Sequence, residues 1–168
     1  GKGFSERREL SDVGILIEEI TPLLSLIIYD YVDPFTGLRL PLDLAPDGFV
    51  DSALIETFVE KAPENSLVAV EEPEIHKNPV LVIELAKRIA KRAAERGLTL
   101  VMTTHSDLVV QAIAKAVEER AIKPDQAAVY YFERSREHPW TRVKKIEVYE
   151  DGTVEELPDA EKATAMLF

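Results

Sequence analysis

The sequence predicts an α/β fold: a mostly parallel sheet with flanking helices and a C-terminal β-hairpin. Short apolar runs, complete at Leu67–Val70 and predominant at Leu98–Thr103, alternate with longer amphipathic stretches at Val80–Arg96 and Asp107–Arg120. Strand, helix, strand, helix, strand in that order implies parallel pairing through right-handed crossovers. Further on, Asp151-Gly152 separates two strand-like runs, which is the turn chemistry of a hairpin. At 168 residues the chain suits a single domain. A domain of that size buries about 70% of its unfolded surface and needs no disulfide or metal to hold a core.

Taken in order, Gly1–Glu9 is polar and charged. The chain opens on Gly1 rather than methionine, as expected of a processed or truncated piece of something longer. Leu10–Tyr31 is largely apolar; Ser11 or Asp12 would cap a helix there, and Pro22 would kink or interrupt it. Asp33–Gly48 holds three prolines and two glycines and reads as an irregular loop. Ser52–Lys61 places Leu54, Ile55, Phe58 and Val59 at helical spacing, and Pro63 and Asn65 make a turn before the strand Leu67–Val70. The helix Val80–Arg96 carries Leu81, Leu85 and Ile89 on one face and stops at Gly97. After the strand Leu98–Thr103, the helix Asp107–Arg120 turns Val110, Ile113 and Val117 inward. Pro124 sits in the next turn, Ala127–Phe132 and Val143–Tyr149 are strands, and Thr153–Leu157 closes the hairpin. The tail Ala160–Phe168 reads as a short docking helix or a frayed end.

Composition excludes several function classes. With no cysteine, a disulfide scaffold, a thiolate zinc site and a cysteine nucleophile are ruled out. A reducing cytosol is compatible, and a cytoplasmic location is expected. Lys+Arg number 20 against 31 Asp+Glu, a formal charge of −11. That charge repels nucleic-acid phosphates and anionic lipid heads, so binding of nucleic acid by this chain alone is not expected. Lys87, Arg88, Lys91, Arg92 and Arg96 form the one basic stripe; a solvated face, with Glu84 pairing to Arg88 at i+4, is favoured over phosphate contact. No apolar run reaches the roughly 18–20 residues of a membrane span, and no signal-peptide pattern opens the chain.

The chemistry concentrates in LVAVEEPEIHKNP, Leu67–Pro79. A buried parallel strand ends in acids where its carboxyl end opens into a ligand crevice. Glu71 and Glu72 can there divide the labour, one holding a magnesium ion and the other accepting a proton from an attacking water. The next strand ends in Thr104-His105-Ser106-Asp107. Parallel strands bring both ends to one edge, so His105 can approach Glu72. Each piece alone has a plainer reading: a Glu-Glu pair in a solvated loop, an ordinary polar histidine at 105, and His76 merely holding its loop. His138 lies in a charged loop with no evident partner.

The strand followed by EEPEIHKNP, a helix, and a strand ending in TTHSD resembles the C-terminal half of an ABC-type or SMC-like P-loop ATPase. The resemblance is strongest to prokaryotic AAA ATPases related to the OLD family. LSDVG at Leu10–Gly14 resembles the lead-in to that family's signature helix, and AAVYYFER and TRVKKIEVYEDGTVEELP resemble its closing strands. The implied fold is P-loop NTPase-like and ABC-type, lacking the Walker A lobe. It would form one domain over 1–168, with a signature-like helix and inserted loop in 1–65 and the Walker B to C-terminal strands in 66–158. By this resemblance Glu71 takes the Walker B magnesium role and Glu72 is the general base. His76, Lys77, Asn78 and Pro79 fall in the D-loop that touches a partner subunit, and His105 is the switch histidine.

The sequence departs from the pattern twice. No G-x-x-x-x-G-K-[ST] run occurs, so the phosphate cradle is missing. Glu18 and Glu19 stand near where the family has its signature serine, and carboxylates repel a γ-phosphate. The expected function is therefore the C-terminal portion of an ATPase, using ATP and Mg²⁺ only when completed by a Walker A-bearing segment or subunit, with a homodimer possible. The alternatives are a degenerate, non-hydrolysing interaction or dimerisation module, and a metal-dependent hydrolase using Glu71, Glu72, Glu74, His76 and His105.

Overall fold

The structure is a computed structural model that describes residues 6–10, 15–19, 27–33, 36–41, 44–134, 136 and 139–158, with side chains described from Tyr31 onward. Leu10–Gly14 beyond its first residue, His138 and the tail Ala160–Phe168 lie outside the described residues.

The most strongly patterned stretch builds a β–α–β unit. Strands β5 (Leu67–Glu71) and β6 (Thr99–Thr103) pair in parallel, Leu67 opposite Thr99 through Glu71 opposite Thr103. They follow four earlier strands, β1 (Glu6–Leu10), β2 (Ile15–Glu19), β3 (Ile27–Val32) and β4 (Arg39–Pro41), and a helix α1 (Asp47–Lys61). Helix α2 (Pro79–Glu95) makes the crossover between β5 and β6. Asn78 caps it by accepting the Leu81 N–H at 3.0 Å, and Pro79 occupies the first turn, where its missing N–H costs nothing. Gly97 ends it at φ +64°; a Cβ there would lie 2.8 Å from the Asn65 side chain. Helix α3 (Asp107–Glu118) follows β6, with the Ser106 hydroxyl accepting the Leu108 N–H.

Even-numbered side chains of the β5–β6 pair face the helices. Val68, Leu100 and Met102 pack on a core of Val59, Leu85, Ile89, Ala93 and Leu98. The buried face of α2 is Val82, Leu85, Ala86, Ile89, Ala90 and Ala93, so Leu85 and Ile89 lie inside as expected and Leu81 only half so. On α3 the small residues Ala112 and Ala116 join Val109 and Val117 inside, letting α2 and α3 approach closely, while Val110 and Ile113 sit at the margin. The odd-numbered face is bare: Leu67 is 65% and Val101 47% exposed.

The edges are open too. The Thr99 N–H donates to Ser66 O and the Glu72 N–H to Thr103 O, both at 2.9 Å. The parallel ladder therefore joins even residues of β5 to odd residues of β6. The backbone groups of Leu67, Ala69 and Glu71, and of Leu100 and Met102, are left for outer edges. Among the described residues no strand pairs with either edge.

The structure corrects four expectations. In the described parts of Leu10–Tyr31 the chain forms strands, not a kinked helix: β1 to β4 make an antiparallel sheet in sequence order, Ile15 opposite Tyr31 and Leu10. β-Branched and aromatic residues dominate its inner strands, and those side chains favour the pleated backbone. The signature-like helix is thus absent from the described part of 1–65, and Glu18 and Glu19 are strand residues. Second, α1 starts at Asp47, five residues before Ser52, inside the expected loop, which also holds β4. Third, parallel pairing stops at β6. Strand β7 (Val129–Glu133) instead pairs antiparallel with β8 (Arg142–Ile146), its neighbour along the chain, where loop closure is cheapest. Fourth, the expected Thr153–Leu157 strand shortens to one Val148–Val154 bridge about the Asp151-Gly152 turn. Among the described residues no helix is long and apolar enough to cross a membrane.

Candidate active site

The carboxyl ends of β5 and β6 meet at one edge, as parallel pairing requires. The Glu72 N–H completes the ladder on Thr103 O, and Glu72 then takes a left-handed φ of +45°. This bends the chain out of the strand, and Pro73, fully buried, fixes the exit. The His105 ring comes to 3.8 Å from Glu72, Nε2 to Oε1. The sequence-predicted pair is therefore together. The ring is 89% exposed, so its approach is set by its backbone and not by packing. Glu71 lies beside them, exposed at the end of the bare face.

Glu74 bridges the two loops. Its Oε1 accepts the Thr104 hydroxyl and the His105 backbone N–H, each at 2.7 Å. Burial works to raise the Glu74 carboxyl pKa, but those hydrogen bonds prevail and hold it below the usual range. Its Oε2 is buried and has no hydrogen-bond partner among the described residues.

The segment expected to form the D-loop is split in its roles. His76 is exposed, left-handed at φ +59°, and 3.4 Å from Asp51 on α1. Lys77 turns inward, 1% exposed, donating to Ile75 O at 3.0 Å with Asp51 at 3.8 Å. Burial pushes its ammonium pKa down, with Asp51 and Glu74 opposing. Asn78 and Pro79 start α2. The segment is clamped to α1, where a Cβ on Gly48 would sit 2.3 Å from the His76 carbonyl oxygen. Between α1 and the open edge of β5 lies a largely apolar groove of about 800 Å³, lined by Leu54, Phe58, Leu67, Ala69, Glu72 and His76 among others.

Among the described residues no group of three His, Cys, Asp or Glu side chains converges to hold a metal. A metal-dependent hydrolase built on Glu71, Glu72, Glu74, His76 and His105 lacks its ligand cage. Magnesium has a weaker requirement: one or two carboxylates suffice when the substrate's phosphates supply further oxygens. The hard oxygen donors of Glu71 and Glu72 fit that requirement.

The basic stripe is paired internally. Lys87 meets Glu119, Arg88 meets Glu56 at 2.7 Å and Glu84 at 3.6 Å, and Lys91 approaches Glu95. Arg92 meets Glu60 and Glu95. Arg96 donates to the carbonyls of Val59, Glu60 and Ala62, capping the end of α1. Sequence reading missed the bridging role of Glu74, the Thr104 hydroxyl and the anchor at Asp51. Only the β5–β6 register, with Glu71 opposite Thr103, could have pointed to the first two.

The fold is that of a P-loop NTPase-like α/β module. The family model described as AAA domain, putative AbiEii toxin, Type IV TA system matches residues 4–111. That is more than half of the 168 residues, and the chain belongs to that family. Among solved structures, a chain from work on the structural biochemistry of ATP-driven dimerization and DNA-stimulated activation of SMC ATPases is similar in fold. It has a TM-score of 0.56 and 12% identity, covering 92% of this chain and 80% of that one. No match was found among curated proteins.

Proposed function

We propose that the chain is the C-terminal portion of a nucleotide-binding ATPase, akin to OLD-related AAA ATPases, that hydrolyses ATP when joined to a Walker A-bearing segment or subunit. The observation that carries this is the approach of His105 to Glu72 at the common end of two parallel strands. Glu72 orients the attacking water and accepts its proton at a carboxylate oxygen. His105 offers a ring nitrogen as donor to the charge that develops on the γ-phosphate. Glu71 helps hold magnesium, which neutralises phosphate charge when bound. Of the expected D-loop, His76, Asn78 and Pro79 are exposed and open to a partner, which a homodimer would supply.

The bare face and open edges of β5–β6 support completion by another segment. Parallel strands are ordinarily covered on both faces and flanked by further strands. A second reading, a non-hydrolysing interaction or dimerisation module, rests on the missing G-x-x-x-x-G-K-[ST] run. The two separate in the completed protein by measuring Mg-ATP affinity and turnover for the parent and Glu72→Gln. Loss of a positioned base lowers turnover about 10²–10⁴-fold, while binding persists. Turnover at the parental rate in Glu72→Gln removes the catalytic assignment and leaves the module reading.

A further inference from the structure

His105 is held in an unusual way for a residue given a task at a reacting phosphate. Its ring is almost wholly exposed, and its Nε2 lies 3.8 Å from Glu72 Oε1. Its position follows from where its backbone is pinned. The pin is Glu74, whose Oε1 accepts both the His105 N–H and the Thr104 hydroxyl. Thr104 Oγ1 in turn accepts the Ser106 N–H at 3.0 Å, and the Ser106 hydroxyl caps α3. A hydrogen-bonded line thus runs from Glu74 through Thr104 to the start of α3. On the other side Glu74 is two residues from Glu72, across the fully buried Pro73.

We propose that Glu74 is the positioning residue of this site: its carboxylate ties the Thr104-His105 loop to the turn carrying Glu72 and so sets the spacing of base and histidine. The proposal rests on the ATPase reading above for its consequence in turnover, but the anchoring itself does not.

Chemistry favours a glutamate here. One oxygen receives two donors, and an anionic oxygen does so more strongly than a neutral one. The loops are 30 and 31 residues apart in sequence and joined by no covalent short cut. A shorter Asp side chain would fall a methylene short. The second oxygen, buried with no partner among the described residues, carries a desolvation penalty. An acid that carries such a cost calls for a role in the site.

The test uses the completed, Walker A-bearing protein with Glu74→Ala, Glu74→Gln and Thr104→Val. It reads kcat and KM for Mg-ATP, hydrogen exchange of the His105 amide, and thermal unfolding. Misplacement of about 1 Å costs on the order of 10²-fold in rate, so Glu74→Ala should lower kcat by about that factor with KM little changed. The His105 amide should exchange faster. Glu74→Gln keeps the Oε1 acceptor and should recover most of kcat. Thr104→Val removes one donor to Glu74 and the acceptor of the Ser106 N–H without shortening Glu74, and should give a smaller loss of kcat.

Parental kcat and parental amide protection in Glu74→Ala overturn the proposal. So does a loss shared equally by kcat, KM and the melting temperature with no rescue by Gln, because that is a fold defect. If the parent and Glu72→Gln turn over alike while the His105 amide loses protection in Glu74→Ala, the ATPase reading fails and the anchor stands.

Discussion

Two groups of charges in this molecule are treated in opposite ways. Along α2, every cation of the basic stripe finds a carboxylate or a row of carbonyls from its own chain. At the end of β5, two adjacent carboxylates, Glu71 and Glu72, have no lysine or arginine paired with them among the described residues; only the His105 ring approaches. The stripe is therefore part of what holds α1, α2 and α3 together. The side chains of the acidic edge make no such pairing, and carboxylate oxygens left open in this way suit a bound cation. An uncompensated cluster beside a fully compensated one separates chemistry from architecture more sharply than either does alone.

The comparison can be broken by mutation. At the edge, Glu72→Gln should leave thermal unfolding essentially unchanged while turnover in the completed protein collapses; a large loss of stability would show that the edge is architectural after all. Glu71→Gln should chiefly weaken magnesium-dependent nucleotide binding. Titrating magnesium at fixed ATP checks this, and a midpoint identical to the parent's removes Glu71 as a ligand.

On the stripe side, Arg96→Ala strips a charged donor from three carbonyls at the end of α1. It should cost about 1–3 kcal/mol in denaturant unfolding, with site chemistry intact. The smallest effect is expected from Arg92→Ala, because that pair is exposed and screened. Its signature is pH. The hydrogen bond from Arg92 holds the Glu60 carboxyl below its ordinary value of 4.5, against burial. A carboxyl depressed by folding adds stability above its unfolded pKa and loses it as pH falls through the folded one. The gap between parent and Arg92→Ala should therefore be present at pH 7 and close on acidification below about 4.5. A gap that is constant with pH removes the pair's contribution.

Legibility in the sequence follows the same division. From Leu67 to Asp107 each element carries its own punctuation: Asn78-Pro79 opens α2, Gly97 closes it, and Ser106 opens α3. Parallel topology then forces both strand ends to one edge, so the meeting of Glu72 and His105 was readable before any coordinates. The stretch up to Val32 was not. Its apolar residues satisfy both a helical and a strand pattern, and Ser11 and Asp12 mimic a helix cap. Pairing between strands, which local propensity does not encode, decides the outcome. The inward turn of Lys77 escaped notice because a lysine in a polar motif ordinarily lies outside; here Ile75 O and Asp51 accommodate it. Glu74 looked like one more acid because its partners are set by register, across some 30 residues.

The left-handed backbone at Glu72 has an evolutionary reading. A residue with a Cβ gives up roughly 1–2 kcal/mol in that region of φ, and glycine does not. Selection for a durable fold alone would drift position 72 to glycine, and denaturant unfolding of Glu72→Gly should show a chain at least as stable as the parent. A glutamate at this position therefore forgoes stability that glycine would return. A copy of this module without its chemistry would be free to exchange this glutamate for glycine with no loss to the core.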